Sequence, residues 1–170
     1  MKRIYLLGLL ALCLLAGCDG QGSKGSSGSG GSHAPAAGAT ATEAQLAADV
    51  LVLVNQERAN VGAPALTWNG PLAAVAQAHS ADMAARNFFA HNNPDGQTPF
   101  DRMAAAGITY TAAAENIAAG YAEANAVMNG WMNSPGHKTN ILNATYTEIG
   151  IGVKQGGSFG TYWTQNFIHP

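Results

Sequence analysis

Cysteine is nearly absent from this sequence. Of its 170 residues only two are cysteines, Cys13 and Cys18, and both stand within the first 18 positions. A disulfide framework is therefore excluded for the rest of the chain, which has to be held together by a hydrophobic core. Charge is also scarce, because only 11% of the residues are charged and the formal net charge is −2. This composition excludes the basic surfaces typical of nucleic-acid binding and of polybasic membrane contacts.

The sequence has no apolar run long enough to span a bilayer. The longest, over residues 4–16, has about 13 residues where a membrane helix needs ~20. It follows Lys2 and Arg3, as in a signal peptide. The letters LAGC at residues 15–18 resemble the bacterial lipobox, whose cysteine becomes the first mature residue and carries the lipid. We predict a lipoprotein signal peptide over residues 1–18 with Cys18 as the lipid anchor; a plain secretory signal with an incidental cysteine is the alternative.

Composition divides the rest of the chain into two parts. Residues 19–42 are rich in Gly, Ser and Ala and have little to bury, which predicts a flexible tether. Residues 43–170 are enough for one domain with a single core. We therefore expect a monomeric, extracytoplasmic domain held at the cell envelope by the lipid on Cys18, with the inner and the outer membrane both open.

Within this domain, apolar residues recur first at helical and then at strand spacing. The pattern predicts helices near residues 43–60, 71–87, 98–106 and 122–133, the first with a capping box formed by Thr42 and Gln45. Alternating apolar residues then predict an antiparallel hairpin near residues 149–153 and 162–168, which a short strand around residues 108–111 can join. Helices that cover a small antiparallel sheet define an α+β fold.

Three polar residues stand where their chemistry needs an explanation. His137 follows the Pro-Gly pair in WMNSPGHKTNIL, at residues 131–142, and such a pair predicts a helix stop with the histidine on the turn beyond it. His91 lies between two aromatic residues and an Asn-Pro-Asp-Gly turn. Glu115 lies in an Ala-rich segment, where an unpaired carboxylate is costly to bury.

Two imidazoles and a carboxylate form a ligand set that suits zinc and leaves one coordination position open. His91, Glu115 and His137 are therefore candidate metal ligands and candidate catalytic residues. Their wide spacing is unlike that of a zinc-protease helix and does not by itself show that they converge. Taken alone, His91 is as well explained as a turn residue and Glu115 as a solvent-facing loop residue. The sequence has no Gly-x-Ser-x-Gly elbow, phosphate-binding loop or cysteine nucleophile.

These residues belong to ordered motifs. H-x-x-x-DG-x-x-x-x-DR runs from His91 to Arg102, ENI follows at residues 115–117, W-M-x-S-x-G-H-x-x-N-I-L occupies residues 131–142, and YWTQNF closes the domain at residues 162–167. Together they resemble the short bacterial branch of the CAP superfamily, named for cysteine-rich secretory proteins, antigen 5 and pathogenesis-related proteins. The resemblance covers about residues 47–167.

The resemblance implies a three-layer α-β-α sandwich with a small antiparallel central sheet. It also implies a cleft where two histidines and one or two acids meet, and which binds zinc in some members. By position these are His91, His137 and, as the first acid, Glu115, with Asn116 and Ser134 lining the cleft. Ser134 departs from many eukaryotic members, which have a glutamate there. A hydroxyl is a poor zinc ligand and a poor base near neutral pH, so this departure favours binding over hydrolysis.

The sequence leaves open whether the protein is an enzyme. In one hypothesis it is a lipid-anchored binding module whose cleft, with or without a divalent metal, recognises a lipid, peptide or cell-wall component. In the other it is a hydrolase of envelope or extracellular substrates, in which zinc on His91 and His137 polarises water and Glu115 is the third ligand or the general base. A purely structural hydrogen-bond network is the third interpretation of the same residues.

Overall fold

A computed structural model of the protein describes residue 36 and residues 38–170. The predicted signal peptide over residues 1–18, with Cys18, and most of the predicted tether over residues 19–42 lie outside the described residues. In the described part of the chain, no helix is long and apolar enough to cross a membrane.

The described residues form helices first and a hairpin last, as the sequence predicts. In chain order the elements are α1 (Ala41–Asn60), β1 (Thr67–Trp68), α2 (Gly70–Arg86), α3 (Pro99–Ala105), β2 (Ala112–Ala119), α4 (Ala124–Met132), α5 (Pro135–Leu142), β3 (Glu148–Gln155) and β4 (Thr161–His169).

The start of α1 differs from the prediction. The capping box is formed by Thr40 and Glu43 rather than by Thr42 and Gln45, because the Thr40 side chain accepts from the Glu43 N–H at 3.2 Å and Glu43 Oε2 accepts from the Thr40 N–H at 2.8 Å. The second oxygen of Glu43 accepts from the Gln155 N–H at 2.8 Å. A contact with a distant strand therefore helps to set where the helix begins, and local spacing does not reveal that contact.

The sheet has the order β1-β3-β4-β2. β4 pairs antiparallel with β3 on one side and with β2 on the other, whereas the two-residue β1 pairs parallel with β3. The α+β fold is confirmed, and β1 makes the otherwise antiparallel sheet mixed. The third long strand is β2, at Ala112–Ala119, and not the predicted strand around residues 108–111.

Helices cover both faces of the sheet. On one face α1, α4 and α5 pack over a core that includes Ile151, Trp163 and Phe167. On the other face α2 packs over β3 and β4, and α3 adds Met103 beside Ile168. The structure is the three-layer sandwich that the sequence predicts.

Two glycines of β3 let α2 lie unusually close to the sheet. A Cβ added at Gly150 would lie 2.3 Å from the Ala73 nitrogen, and one at Gly152 would lie 2.2 Å from the Gln77 nitrogen. Both neighbours are helix backbone, which cannot rotate away as a side chain can. Ser80 reinforces this contact, because its hydroxyl donates to the Gly152 carbonyl at 3.1 Å.

We predict that Gly152→Ala lowers the free energy of unfolding by about 2–3 kcal/mol or more, since overpacking a tight contact forces backbone shifts. Urea denaturation measures the change. Gly70→Ala, at the first residue of α2, is the matched control, because nothing lies within 4 Å of its Cβ position. Equal stability of Gly152→Ala and Gly70→Ala would contradict the close approach.

Candidate functional site

The candidate site lies at β2, the edge strand of the sheet. Register places Glu115 opposite Asn166 and Asn116 opposite Gln165. Because successive strand residues point to opposite faces, Glu115 faces the α2–α3 layer and Asn116 faces the layer that contains α5. The site is thus built from both helical layers at one edge of the sheet.

Glu115 is a buried carboxylate with both oxygens engaged. Its side chain is only 2% exposed. Oε2 accepts from Arg102 Nη2 at 2.8 Å, and Oε1 lies 2.9 Å from His91 Nδ1. These partners offset the cost of removing the carboxylate from water. The sequence leaves open whether Glu115 faces solvent from a loop or has a polar partner. The structure shows that it has polar partners.

Arg102 ties the carboxylate to the His91 loop. Its Nη1 donates to the His91 carbonyl at 2.9 Å and to the Gln97 carbonyl at 3.1 Å. The residue lies in α3, which begins with a capping box of Thr98 and Asp101 and with Pro99 in its first turn. A planar guanidinium with several donors can hold two carbonyls and a carboxylate at once, which an ammonium group does less well.

His91 is presented by its backbone as well as by Glu115. His79 in α2 is 1% exposed, and its Nε2 lies 3.0 Å from the Ala90 carbonyl, one residue before His91. A carbonyl only accepts, so we assign the hydrogen to Nε2 of His79. Burial lowers the pKa of the His79 imidazole, and the Glu115 carboxylate only partly opposes this. His79 is thus a neutral core residue that holds the segment leading to the site.

The same reasoning gives the tautomer of His91. The ionised carboxylate of Glu115 accepts and the imidazole Nδ1 donates, which leaves Nε2 as an acceptor. The His91 side chain is 50% exposed. Nε2 is therefore the atom through which this ring can accept a hydrogen bond, take up a proton or bind a cation.

His137 comes from the opposite layer. It lies in the first turn of α5, so the prediction of a turn beyond a helix stop is wrong. Pro135 begins the helix, where its missing N–H costs nothing. Asn116 Nδ2 donates to the His137 carbonyl at 3.2 Å, and Asn140 Nδ2 donates to Asn116 Oδ1 at 2.8 Å. Burial lowers the pKa of the His137 imidazole, and the nearby His91 lowers it further.

The arrangement fits a metal only in part. Among the described residues, no group of three or more His, Cys, Asp or Glu side chains is arranged to hold a metal ion. Glu115 would have to release Arg102 or His91 to become a ligand, and the guanidinium repels a cation at its side. The imidazoles of His91 and His137 do suit a divalent transition metal, with Glu115 supporting His91 from behind. Direct coordination by Glu115 stays a prediction.

Ser134 is the N-cap residue of α5 and makes no capping hydrogen bond with its side chain. It is partly buried, next to the helix that contains His137. Residue 134 therefore supplies no carboxylate to the site. Among the described residues, the carboxylate bonded to a site histidine is that of Glu115.

Two residues that support the site, Arg102 and His79, are not among the site residues that the sequence predicts; His79 is expected there as a core residue, and its burial confirms this. Arg102 was part of the matched DR motif, and the buried Glu115 was a signal that a cation was needed. His79 was visible only as a polar residue on an apolar helix face, and nothing in its spacing pointed to Ala90.

The chain matches the cysteine-rich secretory protein family, CAP, over residues 51–167, and it belongs to this family. Among curated proteins it is 44% identical over 119 residues to YkwD, an uncharacterized protein of Bacillus subtilis (strain 168). It is 39% identical over 119 residues to YlbC, an uncharacterized membrane protein of the same organism. Each match takes in 70% of this chain but only 45% of YkwD and 33% of YlbC, so the chain spans less than half the length of these relatives.

Solved structures agree with this assignment. An extracellular protein containing an SCP domain from Bacillus anthracis is 36% identical with a TM-score of 0.71, over 75% of this chain and 41% of that one. An outer surface protein of Borrelia burgdorferi is 22% identical with a TM-score of 0.68, over 74% of this chain and 92% of that one. The second likeness shows the fold alone. The resemblance to the CAP superfamily is thereby confirmed.

We predict that Arg102→Ala lowers the free energy of unfolding by about 3–5 kcal/mol, because it leaves the buried Glu115 carboxylate without its cation. Urea denaturation at neutral pH measures the loss. The matched control is Arg86→Ala, which removes pairs with the more exposed Asp82 and Asp95 and a contact with the Phe88 ring and costs much less, since solvent-accessible pairs contribute little. Similar small losses in the two variants would show that Glu115 does not depend on Arg102.

Proposed function

We propose that this protein is a binding module held outside the cytoplasm by a lipid on Cys18, with a cleft between His91 and His137 that recognises its ligand. The CAP domain occupies most of the chain that follows residue 50. A similar protein of Bacillus anthracis is extracellular, and YlbC is a membrane protein. The LAGC motif at residues 15–18 supplies the chemistry for an envelope anchor.

The observation that carries the binding role is the saturation of Glu115. A general base needs an oxygen free to accept the substrate proton. Both oxygens of Glu115 are engaged, and Ser134 offers a hydroxyl where a second carboxylate would be needed. Glu115 is therefore not free to act as a carboxylate base. The groups left to face a ligand are the His91 and His137 imidazoles and the backbone, which can recognise it by hydrogen bonds.

A metal-dependent hydrolase is the second candidate. It is favoured by the contact between Glu115 and His91 Nδ1, because a carboxylate in this place typically orients a metal-ligating imidazole. His91 through Nε2 and His137 would hold the ion, which supplies Lewis acidity toward bound water. Glu115 would orient the His91 ring without coordinating the metal, and Arg102 would keep that carboxylate in place.

One titration tests both candidates. The histidine ring signals of the full chain are followed by NMR while a tripeptide, a muropeptide, phospholipid vesicles or zinc is added. We expect an organic probe to shift the rings of His91 and His137 and to leave the exposed His169 unchanged, and His137→Gln to weaken binding ~tenfold, the effect of losing one good hydrogen bond. Tight zinc binding that His137→Gln abolishes, together with turnover of the muropeptide, would favour the hydrolase. Organic binding that leaves both rings unmoved would overturn the cleft assignment.

The anchor can be tested separately. We predict that a fatty-acid analogue with an alkyne tag labels the chain in a bacterial host and that Cys18→Ala abolishes the label, because the lipid is attached to that sulfur. Cys13→Ala is the matched control and keeps full labelling, since Cys13 lies in the removed segment. Undiminished labelling of Cys18→Ala would refute the lipoprotein assignment.

A further inference from the structure

Glu115 and Asn116, which bond to the segments of both site histidines, belong to an edge strand. β2 stands last in the sheet order, paired with β4 on one side, and no strand of the described residues pairs with its other side. An edge strand presents unpaired N–H and C=O groups on which another chain can form a further strand.

Register shows which groups of β2 point outward. The Gly120 N–H donates to the Thr161 carbonyl at 2.9 Å. This pair continues the β2–β4 ladder by one position beyond Ala119 and Tyr162. In an antiparallel ladder the paired groups alternate, so even-numbered residues of β2 bond to β4 and odd-numbered ones point away from it. The indole of Trp131 agrees, because its Nε1 donates to the outward carbonyl of Ile117 at 3.2 Å.

Glu115 is therefore an outward-pointing residue. Outside the β2–β4 ladder, no hydrogen bond among the described residues uses its N–H or its C=O. Glu115 is 8% exposed as a whole but only 2% in its side chain. The exposed surface of Glu115 is therefore mainly that of its backbone.

The opposite edge of the sheet is protected differently. Beyond the short β1, the Val153 N–H donates to Gln77 Oε1 at 2.9 Å and the Gln155 N–H donates to Glu43 Oε1 at 2.8 Å. Side chains of α1 and α2 thus cover outward N–H groups there. Next to Glu115, Trp131 covers the Ile117 carbonyl and limits pairing to a short segment.

We propose that the cleft binds an extended peptide, whose backbone pairs with the N–H and C=O of Glu115 as a short added strand between His91 and His137. This rests on the binding role proposed above and names its ligand class. One residue of an extended peptide presents an N–H and a C=O on the same side, which is the complement of what Glu115 offers. Glu115 itself bonds to the His91 ring and the adjacent Asn116 bonds to the His137 carbonyl, so both site histidines lie next to this backbone.

Charge in the cleft favours a neutral group. The guanidinium of Arg102 is offset by the Glu115 carboxylate at 2.8 Å. No uncompensated cation among these residues is available to attract a phosphate headgroup. An acyl chain would also leave the exposed Glu115 backbone without a partner, whereas a peptide amide pairs with it.

The test uses the 15N-labelled full chain in detergent micelles and the blocked tripeptide acetyl-Ala-Val-Ala-amide at millimolar concentration. We expect the Glu115 amide proton to shift downfield and exchange more slowly, while the amide of Asn116, already bonded to β4, does not change. The analogue with N-methylvaline cannot donate to the Glu115 carbonyl and should bind ~tenfold more weakly, one lost hydrogen bond.

The outcomes separate this proposal from the binding role itself. If the tripeptide shifts the His91 and His137 rings but not the Glu115 amide, or if N-methylation has no effect, strand addition is refuted and the binding role stands. If phosphatidylglycerol vesicles or a peptide-free disaccharide of the cell wall shift the rings and the tripeptide does not, the ligand class is wrong. If no probe shifts either ring, both proposals fail.

Discussion

The close approach of α2 to β3 is the constraint on which the candidate site depends. Gly150 and Gly152 let the helix backbone lie where a Cβ would otherwise stand, at 2.3 and 2.2 Å from helix nitrogens. The height of α2 above the sheet decides where His79 lies, and His79 holds the Ala90 carbonyl that precedes His91. A packing contact in the core thus positions a ring at the surface. Because the contact is between backbones, it leaves little freedom for the layer to shift.

Buried polar groups then connect the two helical layers through the sheet. Glu115 reaches His91 and Arg102 on one face, and its neighbour Asn116 reaches His137 and Gln165 on the other. A buried polar network of this kind specifies one arrangement, since a displaced member would leave its partners unsatisfied. The adjacent residues 115 and 116 of one strand therefore hold the His91 ring and the His137 backbone.

The sequence predicts much of the architecture because apolar residues recur at helical spacing in the helices and at alternate positions in the hairpin. It does not predict β2, since six of the eight residues in AAAENIAA, five Ala and one Glu, would suit a helix at least as well. They form a strand because β4 offers a ladder and helices cover both faces, which is a tertiary effect. His137 was placed on a turn for a related reason: Pro135 ends one helix but also begins the next.

The site was predictable to a different degree. His91, Glu115 and His137 follow from the family motifs, and the structure brings each into the same network or close to it. Their chemistry could not be predicted, because it depends on Arg102, whose contact with Glu115 spans 13 residues and two elements. Two histidines and a glutamate in a sequence suggest a metal site. A carboxylate already bonded to a guanidinium instead suggests a support for His91.

β2 stands at the edge of the sheet, and this position leaves the Glu115 backbone free to pair with a ligand. Since successive residues of a strand point to opposite faces, Glu115 and Asn116 reach opposite helical layers, and Glu115 holds the ring of the His91 loop. The Glu115 backbone is already ordered by the ladder with β4. The N–H and C=O of Glu115 lost their conformational entropy when the domain folded. A ligand that pairs with them therefore does not have to order them. Preorganisation of this kind strengthens binding without further contacts, and it suits a recognition site that has no free carboxylate.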